Sequence, residues 1–425
     1  MLPRFVIRPH HAAPGRAARE LWWLDPRWIV VAMLVPIYLS FLAFDYSRVV
    51  PVAYVPSGLY FWGLGLLLAL VLGATFGTQR AVAPGGRNPI VIPRWLPALL
   101  LAGTLTAYIA WFHPLATRPE LIIEVLSSER ANVRDEISTM PPLTTLTQWG
   151  VAYAIVYAIR RGQGRTAAWE GAGLWLIILF ALLRSIVWSE RLALIEVLAC
   201  YAVALLAFHR CGSAWRFRVA GLAPLVAPPL LYLLFTASEY FRSWTFYRRY
   251  YDSIWRFAFD RLTAYYAVAS NNGLGLLAES SRWPTYDGSY LLQWAFPRPL
   301  ADASNFQFTA AQYDYERFLV DFARPELNNP SGLFVIVYDV GYFGSALYFL
   351  MIGALIGIAY RGYRQQQAGG LLFYPVCVLF LVELLRFNYF SASRFLPILL
   401  ALLLGAFSAY RGRRRFLPRV AGGQP

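Results

Sequence analysis

Three carboxylates, Glu196, Asp339 and Glu383, sit inside otherwise apolar runs, and arginines flank the same end of several of those runs. With the runs read as helices, Glu196 lies about one turn below the outer end of the sixth and Glu383 about one turn below that of the ninth. Asp339 lies one to two turns into the eighth. Arg184 is near the outer end of the fifth, and Arg191, Arg386 and Arg394 flank the outer ends of the sixth, ninth and tenth. Ionisable groups from five helices thus converge at one depth. Charge in hydrocarbon is costly, so such groups normally face a bundle interior or a wet cavity and mark a substrate path. The alternative is ion pairing that only orients helices, or arginines snorkelling to the interface.

An arginine-rich and aromatic-rich surface at that depth suits a lipid diphosphate carrying a sugar. Guanidinium forks take phosphate oxygens two at a time. Sugar faces pack on aromatic rings, which Tyr250, Tyr251, Trp255, Tyr265 and Tyr266 supply. An interfacial aromatic belt is the competing role for these rings.

The elements that must position these groups follow from composition. With 58% hydrophobic and 14% charged residues among 425, and a positive mean hydropathy, the chain is an all-α polytopic membrane protein rather than a soluble one. A span needs about 20 mostly apolar residues. Ten stretches qualify: Trp28 to Phe44, Leu59 to Phe76, Leu96 to Phe112, Leu143 to Ile159, Gly171 to Val187, Leu192 to Phe208, Val219 to Phe235, Leu333 to Tyr360, Leu371 to Phe387 and Phe395 to Ala409. The organisation expected is seven spans within 1–236, a large outer loop at 237–332 whose first half is helical, three spans within 333–410 and a basic tail at 411–425. No cleavable signal peptide is expected, and the first span reads as retained.

All 38 basic residues are arginine, and the net charge of +15 resides mostly in short loops, where it sets orientation. Arginines crowd one set of loops, including Arg80, Arg87, Arg160, Arg161, Arg210, Arg216, Arg218 and both terminal segments, and are sparse in the alternate set with Arg48, Arg118, Arg130 and Arg134. The termini are therefore expected in the cytoplasm and the large loop outside.

The outer segment at His113 to Pro142 is expected to form a short amphipathic helix and a turn at Pro141-Pro142. In the large loop, Glu239 to Ala269 contains no Gly or Pro, and Asp252, Arg256 and Asp260 recur at a spacing of four. Two amphipathic helices joined near Asp252 are expected there, followed by an irregular half from Asn271 to Ser331. Gly353 and Gly357 form a GxxxG packing notch. No metal-ligand spacing and no Gly-rich phosphate loop appear, and no cysteine lies in the large loop.

The polar segment leading into a glycine-bearing helix, ELNNPSGLFVIVYDVGYFGSALYFLMIGALIG at Glu326 to Gly357, and the later ELLRFNYFSASRF at Glu383 to Phe395 resemble the Wzy-type polymerases of bacterial O-antigen and exopolysaccharide. The resemblance covers most of the chain in topology and some 45 residues in wording. It implies the helical, lipid-phosphosugar-dependent glycosyltransferase fold of the GT-C type, in the bacterial inner membrane with the large loop in the periplasm. The expected reaction moves a growing glycan from undecaprenyl diphosphate onto the sugar end of another lipid-linked repeat unit. Partners would be undecaprenyl-diphosphate-linked glycans and membrane lipid, with room for a chain-length regulator. No nucleic acid, cofactor or metal is implied. The related O-antigen ligases, which transfer glycan to lipid A core, typically carry a histidine in this loop; none is present here. A flippase for lipid-linked oligosaccharides is the other alternative.

On that reading a sugar hydroxyl displaces a diphosphate at an anomeric carbon, and arginines act as an electrostatic clamp on the departing group. The clamp candidates are Arg184, Arg191, Arg248, Arg249 and Arg386. Asp252, Asp260, Asp339 and Glu383 are the candidates for a base, with none singled out.

Overall fold

A computed structural model describes residues 21–79, 90–126, 140–188, 190–208, 220–292 and 309–416. Arg80, Arg87, Arg130, Arg134, Arg210, Arg216 and Arg218, part of the large loop and the end of the basic tail lie outside that set. Among the described residues the regular structure is helical, with no strand. The main helices are α1 (Pro26–Ala43), α2 (Gly58–Gln79), α3 (Trp95–Ala116), α4 (Trp149–Gly162), α5 (Ala168–Val187), α6 (Leu192–Leu206), α7 (Ala223–Glu239), α8 (Ile254–Glu279), α9 (Thr309–Phe322), α10 (Phe334–Arg364), α11 (Ala368–Glu383) and α12 (Phe395–Phe416).

All ten apolar stretches fall on helices, but not on helices of one kind. Five, α1, α2, α3, α5 and α10, are long and apolar enough to cross a membrane. The apolar parts of α6, α11 and α12 are shorter. Helix α4 has 14 residues, and every one from Gly150 to Arg160 is buried. It runs through the middle of the bundle against α3, α5, α6, α11 and α12, so other helices rather than lipid satisfy its apolar surface. Helix α7 contains Pro228 and Pro229 and turns Leu225, Val226 and Leu230 outward.

The most extensive pairing joins α2 to α10. It depends on two notches that interlock. A Cβ at Gly353 or Gly357 would meet the carbonyl oxygens of Leu70 and Ala74, and one at Gly73 or Gly77 would meet those of Leu350 and Ala354. The GxxxG at Gly353 and Gly357 therefore has a counterpart in Gly73 and Gly77, and the backbones touch directly. Near the end of α4, Arg160 is fully spent on structure. It holds Glu170 through two bonds of 2.8 and 2.9 Å and donates to the carbonyls of Ile92 and Arg165 at 2.7 and 2.8 Å.

The large loop differs from the expectation in its second half. After α7 the chain stays helical through Tyr247, turns at 248–253 and enters α8, which runs unbroken past Asn271 to Glu279. Asn271, Asn272, Gly273 and Gly275, which read as turn signals, are buried helix positions. Their roles are tertiary. The Asn271 amide accepts from Tyr54 N at 2.7 Å and donates to Val52 O at 3.0 Å, while Asn272 donates to Leu327 O at 2.6 Å. A Cβ at Gly273 would press on Phe334 at 2.8 Å. The loop is thus not a lid laid over the bundle, because the second half of α8 is part of the core. Pro141 and Pro142 likewise open a short helix, Pro141–Thr144, rather than a turn.

Candidate functional site

Three ion pairs line the C-terminal ends of α5 and α11 and the N-terminal ends of α6 and α12. Arg184, in the last turn of α5, pairs with Glu190, donates to Thr147 Oγ1 at 2.9 Å and lies over the Trp111 ring at 3.8 Å. Glu196, one turn into α6, receives Arg394 Nη1 at 3.1 Å and the Tyr389 hydroxyl at 3.1 Å. Glu383, at the end of α11, receives Arg386 Nη1 at 3.0 Å. Both carboxylates are buried, yet the arginine side chains are 26% (Arg386) and 31% (Arg394) exposed. Each arginine therefore has one arm anchored on a buried carboxylate and part of its side chain exposed, while Nε of Arg386 is buried without a hydrogen-bond partner among the described residues. Burial opposes the charge on Arg394, but Glu196 and then Glu190 outweigh it and raise its pKa, which keeps this guanidinium cationic.

A second cluster lies where α6, α7 and α8 meet. Glu239, at the end of α7, is fully buried and pairs with Arg191 at the start of α6. Its other oxygen takes the Ser243 hydroxyl at 2.6 Å and lies 3.4 Å from Arg261 Nε of α8. Arg242 approaches at 3.9 Å and donates to the Tyr265 hydroxyl at 3.2 Å. Arg261 also holds Glu326 at 2.9 Å, which ties the segment before α10 to this cluster. Burial pushes the Glu239 pKa up, but Arg191, Arg261 and Arg242 together overcome it, so the net shift is downward.

The clusters adjoin consecutive tyrosines of α8. Tyr265 faces Arg242 and Arg191, whose guanidinium lies 6.0 Å from its ring centre. The phenol of Tyr266, the next residue, is pushed up by burial first and then by Glu383, with Arg386 pulling down.

The remaining residues expected at the site lie elsewhere. Arg248, Arg249, Tyr250 and Asp252 are exposed at the turn before α8. Arg249 stacks over Phe246 at 4.0 Å and Tyr250 at 5.0 Å. Tyr251 packs edge-on against Phe257 at 5.3 Å, and its phenol is pushed up by burial and then by Asp260. Trp255 is half-exposed and packs on Tyr232 of α7. From the start of α8 to Tyr265 is about 16 Å of helix, at 1.5 Å per residue. This group forms the tip of the loop and adjoins the second cluster through Phe257, whose ring centre lies 5.9 Å from the Arg261 guanidinium.

Asp339 has a different employment. Gly341, with φ 70° and ψ −173°, interrupts α10 and leaves the carbonyls just before it without helical partners. Those of Tyr338 and Asp339 instead accept from Thr285 N at 3.1 Å and Tyr286 N at 2.8 Å. The Asp339 carboxylate accepts from Ser289 Oγ at 3.1 Å, Tyr290 N at 2.9 Å and Leu291 N at 2.7 Å. It holds the 285–291 loop onto the break.

Sequence reasoning missed Glu190, Glu239, Arg242, Arg261 and Glu326 as members of these clusters. The Arg191–Glu239, Arg261–Glu239 and Arg261–Glu326 partners are far apart in the chain, so no local spacing signals them, whereas Arg242 and Glu239 lie at helical i,i+3 spacing. No protein-family model, curated protein or solved structure matches the chain.

Proposed function

We propose that the chain is a glycan polymerase of the Wzy type, crossing the bacterial inner membrane about ten times in a GT-C-like arrangement with cytoplasmic termini. It joins undecaprenyl-diphosphate-linked repeat units on the periplasmic face. The observation that supports this reading most strongly is that Arg386 and Arg394 each anchor one arm on a buried carboxylate while a quarter to a third of the side chain stays exposed. A guanidinium held this way needs no reorganisation to meet a diphosphate, which is what preorganised electrostatic catalysis requires.

In the reaction the bond between the anomeric carbon and the diphosphate oxygen breaks, and its electron pair leaves with the diphosphate. The acceptor hydroxyl forms the new bond and gives its proton to a carboxylate. Glu383 is the best placed of the four candidates, because it is next to Arg386, whereas Asp252 and Asp260 are at the loop tip and Asp339 is occupied by the 285–291 loop. Arg184 and Arg191, buried behind the rim, add positive potential.

The test is to make Arg386→Ala and Arg184→Ala separately, verify expression and melting temperature, and measure glycan chain length in cells. Removing one such donor costs about 10²-fold or more in rate, so chains should shorten or vanish in Arg386→Ala. Unchanged length in both variants would refute the clamp.

A further inference from the structure

The two arginine clusters share no ion pair among the described residues, and their charge balances differ. Arg386 and Arg394 face Glu383 and Glu196, one for one. Among the described residues Arg191, Arg242 and Arg261 pair with two carboxylates, Glu239 and Glu326, so three guanidiniums there meet two anions. The surplus belongs most nearly to Arg242. Its approach to Glu239 is the longest of the three, Glu239 is already engaged by Arg191 and Ser243, and the Arg242 side chain is 25% exposed. Tyr265 borders the second cluster, taking a hydrogen bond from Arg242 at 3.2 Å.

We propose that the outer rim has two seats for a lipid diphosphate headgroup, one on Arg386 and Arg394 and a second on Arg242 with Arg191 and Arg261. A partly exposed guanidinium backed by two buried ones offers phosphate oxygens a fork and a positive potential together. Glu239 is the positioning residue of the second seat, since it draws three arginines from three elements to one point. Joining two lipid-linked glycans requires two such headgroups at once, one leaving and one remaining on the acceptor. The donor and acceptor assignment rests on the polymerase reading; the existence of two seats does not.

The experiment counts bound polyprenyl diphosphate on the full-length chain in phosphatidylcholine nanodiscs by native mass spectrometry. Two equivalents per chain are expected for the wild type, and one for Arg242→Gln and one for Arg386→Gln at unchanged melting temperature. One equivalent on the wild type overturns the proposal, a result that needs no variant to fold. Should Arg242→Gln lose stability, Arg242→Lys keeps the charge without the fork and should weaken the second equivalent at least tenfold; equal affinity overturns the proposal. Inorganic diphosphate should displace that equivalent only in large excess, and phosphatidylglycerol added at equal concentration should leave it bound. Displacement by phosphatidylglycerol would make the seat a general phospholipid site and refute the assignment. Two equivalents without glycan transfer would keep the seats and refute the polymerase; transfer with one equivalent would do the reverse.

Discussion

Arg191 and Glu239 form a buried ion pair between the start of α6 and the end of α7, and the same carboxylate also engages Arg261 of α8. One anionic group thus fastens the loop helix to two helices of the bundle. Removing one partner of a buried ionic cluster costs about 3–5 kcal/mol, so Glu239→Ala should lower the melting temperature of the purified protein sharply.

That cluster also sets a pH dependence. The Glu239 pKa is lowered from its usual 4.5 because three guanidiniums outweigh burial. The folded chain then binds this proton less tightly than the unfolded chain does. The stabilisation is complete above about pH 4.5 and disappears as pH falls through the folded pKa. The melting-temperature gap between wild type and Glu239→Gln should be constant from about pH 7 to pH 5 and narrow below. A gap that widens in acid would contradict the assignment.

The notch between α2 and α10 predicts a severe response at four glycines. Leucine at Gly353 or Gly73 would drive a side chain into backbone of the facing helix, where overpacking costs about 1–3 kcal/mol or more. Gly369→Ala is the control: its Cβ meets nothing within 4 Å, and replacing an exposed helical glycine gains about 0.5–1 kcal/mol. Thermal aggregation in detergent should separate the two classes; equal melting temperatures would mean that the helices do not touch there.

Asp339 is assigned to anchoring, so its activity loss should follow its stability loss. Asp339→Ala should expose the 285–291 loop to protease and lower the melting temperature, at about 1–3 kcal/mol for the bonds removed. Asp339→Asn, which keeps one acceptor oxygen, should lie between. An Asp339→Asn protein of native stability and no activity would instead make this residue the base.

The apolar stretches were legible because lipid or a helical core demands continuous hydrophobicity, and the positions of Arg184, Arg386 and Arg394 at helix ends followed from where the stretches end, whereas Arg191 joins Glu239 in a separate cluster. The second half of α8 was not. Asn271, Asn272 and Gly273 have low helix propensity, and their use comes only from distant backbone at Val52, Tyr54 and Leu327. Glu239 read only as the start of the loop's helical stretch, since nothing local signals that Arg191 and Arg261 reach it. Asp339 read as one of the converging carboxylates and a candidate base, because the break at Gly341 that occupies it is a backbone event that needs a positive φ and a loop to dock on it.

The central claim is most directly tested by incubating the purified chain, in detergent with excess EDTA, with lipid-linked repeat unit alone and resolving the products by size. The account predicts a ladder of lipid-linked glycans growing by one repeat unit per step, undiminished by the chelator and abolished by Arg386→Ala. No product from the repeat unit alone, or transfer only when lipid A core is added, would contradict it.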